Sequence, residues 1–223
     1  IEAAGAEVVT FDRSIADREA LALERVRATG ATFVHPFEDR DIMLGQGTTA
    51  VELHEQVGDL DLLLVPMSGG GLMAGCASAM AALSPRCRMI GVEPALGDDT
   101  RRSFEAGRPV TIEQPATMAD GLAVTSPGAN TFAINHRLVE RIVTVTERQI
   151  AAAMVTLRET TGLIVEPSGA VGIAALLAGL PQPDPPAGAE HRPRLRIGVI
   201  LSGGNIDDQR FEELTATADR GSA

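Results

Sequence analysis

The apolar positions of this chain fall in short continuous runs that end in glycine or proline. The chain is organised around Asp61-Leu62-Leu63-Leu64-Val65-Pro66-Met67-Ser68-Gly69-Gly70-Gly71-Leu72-Met73-Ala74-Gly75, an apolar run breaking into glycines and then into small, helix-compatible residues. That order predicts a buried strand, a tight loop and a helix start.

The same pattern, followed from the beginning, predicts a strand at Ala6-Glu7-Val8-Val9-Thr10-Phe11. Ser14-Ile15-Ala16-Asp17 then approximates a capping box for a helix ending near Gly30, and Ala31-Thr32-Phe33-Val34 reads as a second strand. His35-Pro36-Phe37 marks a turn, since the residue before proline is pushed out of helical geometry. Gly45-Gln46-Gly47-Thr48 is expected to be a flexible loop feeding a helix capped by Thr49 and Glu52. Beyond the central run come a helix over 75–83 and a strand, Arg88-Met89-Ile90-Gly91-Val92, ending at Glu93. Regular patterning dissolves between Pro94 and Asn130, apart from a short helix at Asp99–Ala106, and so long an irregular connection is usually functional or mobile.

Arg141-Ile142-Val143-Thr144-Val145 restores a strand, and Thr146-Glu147-Arg148-Gln149 caps a helix to about Thr161. Glu166-Pro167-Ser168-Gly169-Ala170 turns into an Ala-rich helix that stops by Gly179. Residues 181–193 form a proline-rich surface loop. The last buried strand, Arg196-Ile197-Gly198-Val199-Ile200-Leu201, breaks at once into Ser202-Gly203-Gly204-Asn205. Strands alternating with helices over short connections predict an α/β fold, an open, mostly parallel twisted sheet with helices on both faces.

Composition narrows the function. A formal net charge of −11 disfavours nucleic acid and anionic membranes as partners, and no run is apolar and long enough to span a bilayer. The two cysteines, Cys76 and Cys87, read as small buried thiols, which points to a cytoplasmic protein. All 19 basic residues are arginine, so the chain has no lysine. It opens on Ile1 inside a helix-like segment, and a front portion is expected to be missing.

Three successive glycines can turn their N–H groups inward without Cβ clashes, and the following helix adds unpaired amides and the positive end of its dipole. This predicts an anion cradle, most plausibly for phosphate. The Gly-Lys-Ser/Thr ending of a nucleotide P-loop is absent. A dinucleotide site remains open, because Gly69, Gly71 and Ala74 fit G-x-G-x-x-G/A and Glu93 follows at the spacing of a ribose-binding acid.

Three glycine-bearing exits occur in order: Ser68-Gly69-Gly70-Gly71, Glu166-Pro167-Ser168-Gly169 and Ser202-Gly203-Gly204-Asn205. In a parallel sheet such loops line one crevice. Together with Gly45-Gln46-Gly47-Thr48 and Ala119-Asp120-Gly121, they resemble the threonine dehydratase and serine racemase family, fold-type II (tryptophan synthase beta-like) enzymes that use pyridoxal 5′-phosphate. The resemblance runs from Ile1 to about Asp207. It implies that residues 1–38 are the remnant of a small domain and that 39–223 form the large cofactor-binding domain.

By the same resemblance, Ser68, Gly69, Gly70, Gly71 and Leu72 hold the cofactor phosphate through backbone amides, and Ser202 partners the pyridine nitrogen. Glu166 and Gly121 lie near the ring. Glu93, the Gly97 carbonyl and Asp99 resemble the divalent-cation loop of some members, for magnesium or calcium. The largest departure is the missing Schiff-base lysine. The implied activity is conversion of serine or threonine to a 2-oxo acid and ammonia by a complete version of the protein, a homodimer, with this chain alone inactive. Serine racemisation is the neighbouring reading. A non-catalytic binding remnant and a nicotinamide-dependent oxidoreductase are the alternatives from other classes.

Overall fold

Every residue of β1 (Leu62–Pro66) is buried, because the strand has a neighbour on each side and helices over both faces. The computed structural model describes residues 2–11, 18–179 and 194–216. Contacts divide the chain into two units, Ile1–His35 and Pro36–Ala223.

The second unit holds all four strands found among the described residues, in the order β3-β2-β1-β4, with β2 at Arg88–Pro94, β3 at Arg141–Val145 and β4 at Ile197–Val199. Every pairing is parallel; Leu64 stands opposite Ile90 on one side and Val199 on the other. Alternate side chains of β1 enter two separate cores, as the period of two in a strand requires. Leu62 and Leu64 join Ile90, Val92 and residues of α6 (Glu147–Thr161), α7 (Pro167–Leu177) and α8 (Asp208–Thr215). Leu63 and Val65 join Met89 and residues of α2 (Arg40–Val57) and α3 (Gly71–Leu83). The predicted open parallel sheet with helices on both faces is therefore what forms.

Several local expectations fail for physical reasons. Residues 6–11 and 31–34 form no strand; Val8, Val9 and Val34 are exposed, and an apolar run without a ladder partner has nothing to pair with. The first unit's helix α1 runs Arg18–Thr29 and stops before Gly30 in the left-handed region, while the capping box at 14–17 and the loop at 181–193 lie outside the described residues. Gly45 and Gly47 are not in a loop but inside α2. A Cβ on Gly47 would sit 2.8 Å from the Gly75 carbonyl oxygen, and one on Gly75 would sit 2.2 Å from that of Met43. The two helices cross backbone to backbone, so close packing overrides the weak helix propensity of glycine. Helix α3 starts at Gly71, four residues earlier than expected, and α5 (Ala129–Leu138) occupies a stretch that periodicity left unassigned.

Candidate functional site

The chain moves outward from β1 to β2 to β3, whereas β4 returns to the opposite side of β1. Strand order therefore reverses between β1 and β4, and the crevice outside their carboxyl ends is where open α/β sheets bind ligands. The 68–72 loop leaves β1 at that point and the 202–205 loop follows β4, so the two adjoin.

Gly70 has φ 92° and caps α3 without a side-chain bond. Among the described residues nothing accepts from the N–H groups of residues 68–73; the first helical bond runs from Ala74 N–H to the Gly70 carbonyl at 2.9 Å. The buried Ser68 hydroxyl also lacks a partner. The carbonyls, by contrast, are all held. Thr100 Oγ1 donates to that of Ser68 (3.1 Å), Thr131 Oγ1 to that of Gly69 (2.6 Å) and Asn135 Nδ2 to that of Gly70 (3.0 Å). A side chain on Gly69 would strike the Phe37 ring, and one on Gly71 would reach Gln46 Oε1 at 2.7 Å. The Gly45-Gln46-Gly47-Thr48 motif thus reaches the cradle through a helix. Open amides, an orphan hydroxyl and a helix dipole on one loop suit a phosphate group.

The second cluster forms around Glu166, which precedes α7. Glu166 Oε2 accepts from Asn205 N–H (2.9 Å), and Glu166 N–H donates to the Gly203 carbonyl (3.1 Å). Gly121 lies in a short 3-10 turn, Asp120–Leu122, and its N–H donates to Ser168 Oγ at 3.0 Å. Gly121, Glu166 and Asn205 share the wall of a cleft of about 390 Å³. Ser202 is exposed on the 202–205 loop. No hydrogen bond among the described residues joins this cluster to the 68–72 loop; the sheet alone sets them side by side.

At the exit of β2, Glu93 is fully buried, and its two oxygens accept from Thr100 N–H (3.1 Å) and Arg101 N–H (2.9 Å), capping helix α4 (Asp99–Ala106). A carboxylate so engaged is not free to bind a ribose, which removes the support for a dinucleotide site. Burial, then the Asp99 charge, push Glu93 up to about 8 against the pull of those amides. Burial, then Asp98, push Asp99 up to about 7. Both Asp99 oxygens are buried without a hydrogen-bond partner; its own N–H and the Thr100 hydroxyl lie near enough to ease the charge but do not meet them in bonding geometry. Gly97 precedes Asp99 in the turn that leaves β2, its N–H bonded to the Pro94 carbonyl at 2.9 Å. No group of three or more His, Cys, Asp or Glu side chains suited to a metal occurs among the described residues.

The residues missed by sequence reading are those that hold the loop from behind. Thr131 and Asn135 are one helical turn apart, on one face of α5, a weak signal in a stretch without apolar periodicity.

A strand-loop-helix turn with open amides at the switch point of a parallel sheet is the arrangement in which α/β proteins bind anionic cofactors. Residues 1–203 match the family of pyridoxal-phosphate dependent enzymes, and the chain belongs to that family. It is 37% identical over 217 residues to an L-threo-3-hydroxyaspartate ammonia-lyase of Saccharomyces cerevisiae, covering 97% of this chain and 64% of the relative. It is 42% identical over 206 residues to an L-threonine ammonia-lyase of Geobacter sulfurreducens, covering 91% and 48%. Maize serine racemase superposes with a TM-score of 0.83 at 34% identity, covering 97% of this chain and 64% of that structure. The chain therefore spans about half to two thirds of the length of these relatives. No helix among the described residues is long and apolar enough to cross a membrane.

Proposed function

We propose that this chain supplies the cofactor-binding part of a pyridoxal 5′-phosphate-dependent ammonia-lyase acting on a small β-hydroxy amino acid, serine or threonine, to give a 2-oxo acid and ammonia. The observation that carries this reading is the row of open amides at residues 68–73 beside the 202–205 loop. Residues 39–223 act as the large domain and residues 1–38 as the remnant of a small one. The complete protein works as a homodimer.

In this reading the amides of Ser68, Gly69, Gly70, Gly71 and Leu72 bind the cofactor phosphate. The Ser202 hydroxyl would partner the pyridine nitrogen; being neutral, it would not enforce a protonated ring. Gly121, held by its bond to Ser168, would offer bare backbone to the ring. Glu166 shapes the ring edge by holding the 202–205 loop. Bound cofactor supplies an electron sink that acidifies the substrate Cα–H. The base that removes that proton is the family lysine, which this chain lacks, so the chain by itself is inactive.

Glu93, Asp99 and the Gly97 carbonyl form the cation loop. The two Asp99 oxygens, buried without a partner, are the donors that a hard divalent cation, magnesium or calcium, would satisfy there, while the Glu93 oxygens also carry the α4 amides. The likeness to maize serine racemase favours racemisation as the second reading, since the same chain residues would serve either outcome.

Mixing the chain with cofactor and serine or threonine should yield no 2-oxo acid. Supplying a lysine-bearing small-domain segment, in cis or as a separate chain, should produce it. Turnover by the chain alone refutes the division of labour. An inert reconstituted protein points to a non-catalytic binding role.

A further inference from the structure

Residues 68–71 alternate sharply between the two sides of their backbone: carbonyls engaged, amides open. In a planar trans peptide the C=O of one residue and the N–H of the next point in opposite directions. Every peptide among the described residues is trans. Anchoring the carbonyl of Ser68 therefore aims the N–H of Gly69. In the same way the Gly69 carbonyl aims the Gly70 N–H, and the Gly70 carbonyl aims the Gly71 N–H.

The three side-chain anchors come from two helices outside the loop, and the Gly69 carbonyl also accepts a longer bond from the Gly128 N–H at 3.3 Å. Thr100 lies in the first turn of α4, and Thr131 and Asn135 lie on α5; all three are completely buried. Thr131 is itself steadied, since Glu38 accepts from its N–H at 3.2 Å. The Gly70 carbonyl already receives the Ala74 N–H, so the Asn135 amide is a second, side-chain donor to it. The fit leaves no room for change at Gly70: a Cβ there would sit 2.7 Å from Asn135 Nδ2 and 3.1 Å from Thr131 Oγ1. Donation to a carbonyl also polarises its peptide, which strengthens the N–H on the far side as a donor.

We propose that Thr100, Thr131 and Asn135 are positioning residues for the phosphate cradle, each aiming and polarising one glycine amide without touching the ligand. This rests on the reading of the loop as a phosphate site. Pyridoxal 5′-phosphate and pyridoxal, which lacks the phosphate, separate the two claims when each is titrated calorimetrically into the full chain.

Wild-type chain should bind the phosphorylated compound more tightly. Thr131→Val, equal in shape but without the hydroxyl, and Asn135→Leu should each weaken it by about 10-fold, the loss expected for one hydrogen bond to a preorganised site, and leave pyridoxal unchanged. Thr131→Ser should stay within about 2-fold of wild type. Equal binding of both compounds by wild type overturns the phosphate reading and the proposal with it. A wild-type preference that survives unchanged in Thr131→Val overturns the positioning role alone. Parallel loss of both compounds in the variants means general loosening of the fold and also overturns it.

Discussion

Two neighbouring strands deliver two helices with opposite starts. Helix α4, after β2, is closed at its N-terminus by the chain itself, because Glu93 places one oxygen on Thr100 N–H and the other on Arg101 N–H. Helix α3, after β1, has glycines where a cap would be, and its leading amides stay open. An N-terminus that the chain caps is structural; one whose amides are left open while its carbonyls are tied down is prepared for an external anion. The same contrast holds for charge. Among the described residues nothing meets the positive potential of the α3 start, and none places a basic side chain on the buried carboxyls of Glu93 and Asp99 at the α4 start. Thr100 joins the two, its N–H serving Glu93 and its hydroxyl serving the Ser68 carbonyl.

The most damaging way to break this contrast is to give α3 an acid of its own. Gly70→Asp forces a side chain onto a residue at φ 92° and puts a carboxylate where the proposed site would take the phosphate. Binding of pyridoxal 5′-phosphate, read by calorimetry, should fall about 100-fold or more through like-charge repulsion in a partly dry pocket. Gly70→Ala tests the steric part alone and should cost less.

A smaller effect reports on the acidic corner. Burial pushes Glu93 up to about 8 and Asp99 up to about 7 in the folded protein, from ordinary values of 4.5 and 3.8. Raised values mean that the folded state holds protons which the unfolded chain has released. Stability in a chelating buffer should therefore decline as pH climbs from about 5 to 8, by on the order of a few kcal/mol. Urea midpoints measure this. Asp99→Asn should flatten the decline. Saturating magnesium or calcium should abolish it in wild type and do nothing further in Asp99→Asn; a wild-type midpoint indifferent to both pH and cation removes the cation loop from the account.

The parts of the molecule legible in the sequence are those whose causes are local. The apolar run at 62–66, the strand ending after Glu93 and the Thr146–Gln149 capping box all appear where pattern places them, since a few adjacent residues decide each. The triple glycine likewise announced a loop. What held that loop was not legible, because Thr131 and Asn135 reach carbonyls 62 and 65 positions away. Gly47 misled for the same reason: it reads as a breaker until Gly75 arrives against it. The runs at 6–11 and 31–34 have strand-like composition, yet a strand exists only with a neighbour. Glu93 matched a ribose-binding spacing, but its position under α4 gives it a capping role that spacing does not encode.

The central claim is that the open amides of the 68–72 loop hold a phosphate group, and amide NMR shifts observe those donors directly. On adding pyridoxal 5′-phosphate to the isotope-labelled chain, the amide protons of Gly69, Gly70 and Gly71 should move downfield together. Inorganic phosphate should move the same signals, and pyridoxal should leave them in place. Shifts confined to residues outside this loop, or glycine amides that respond to pyridoxal as they do to its phosphate ester, would contradict the account.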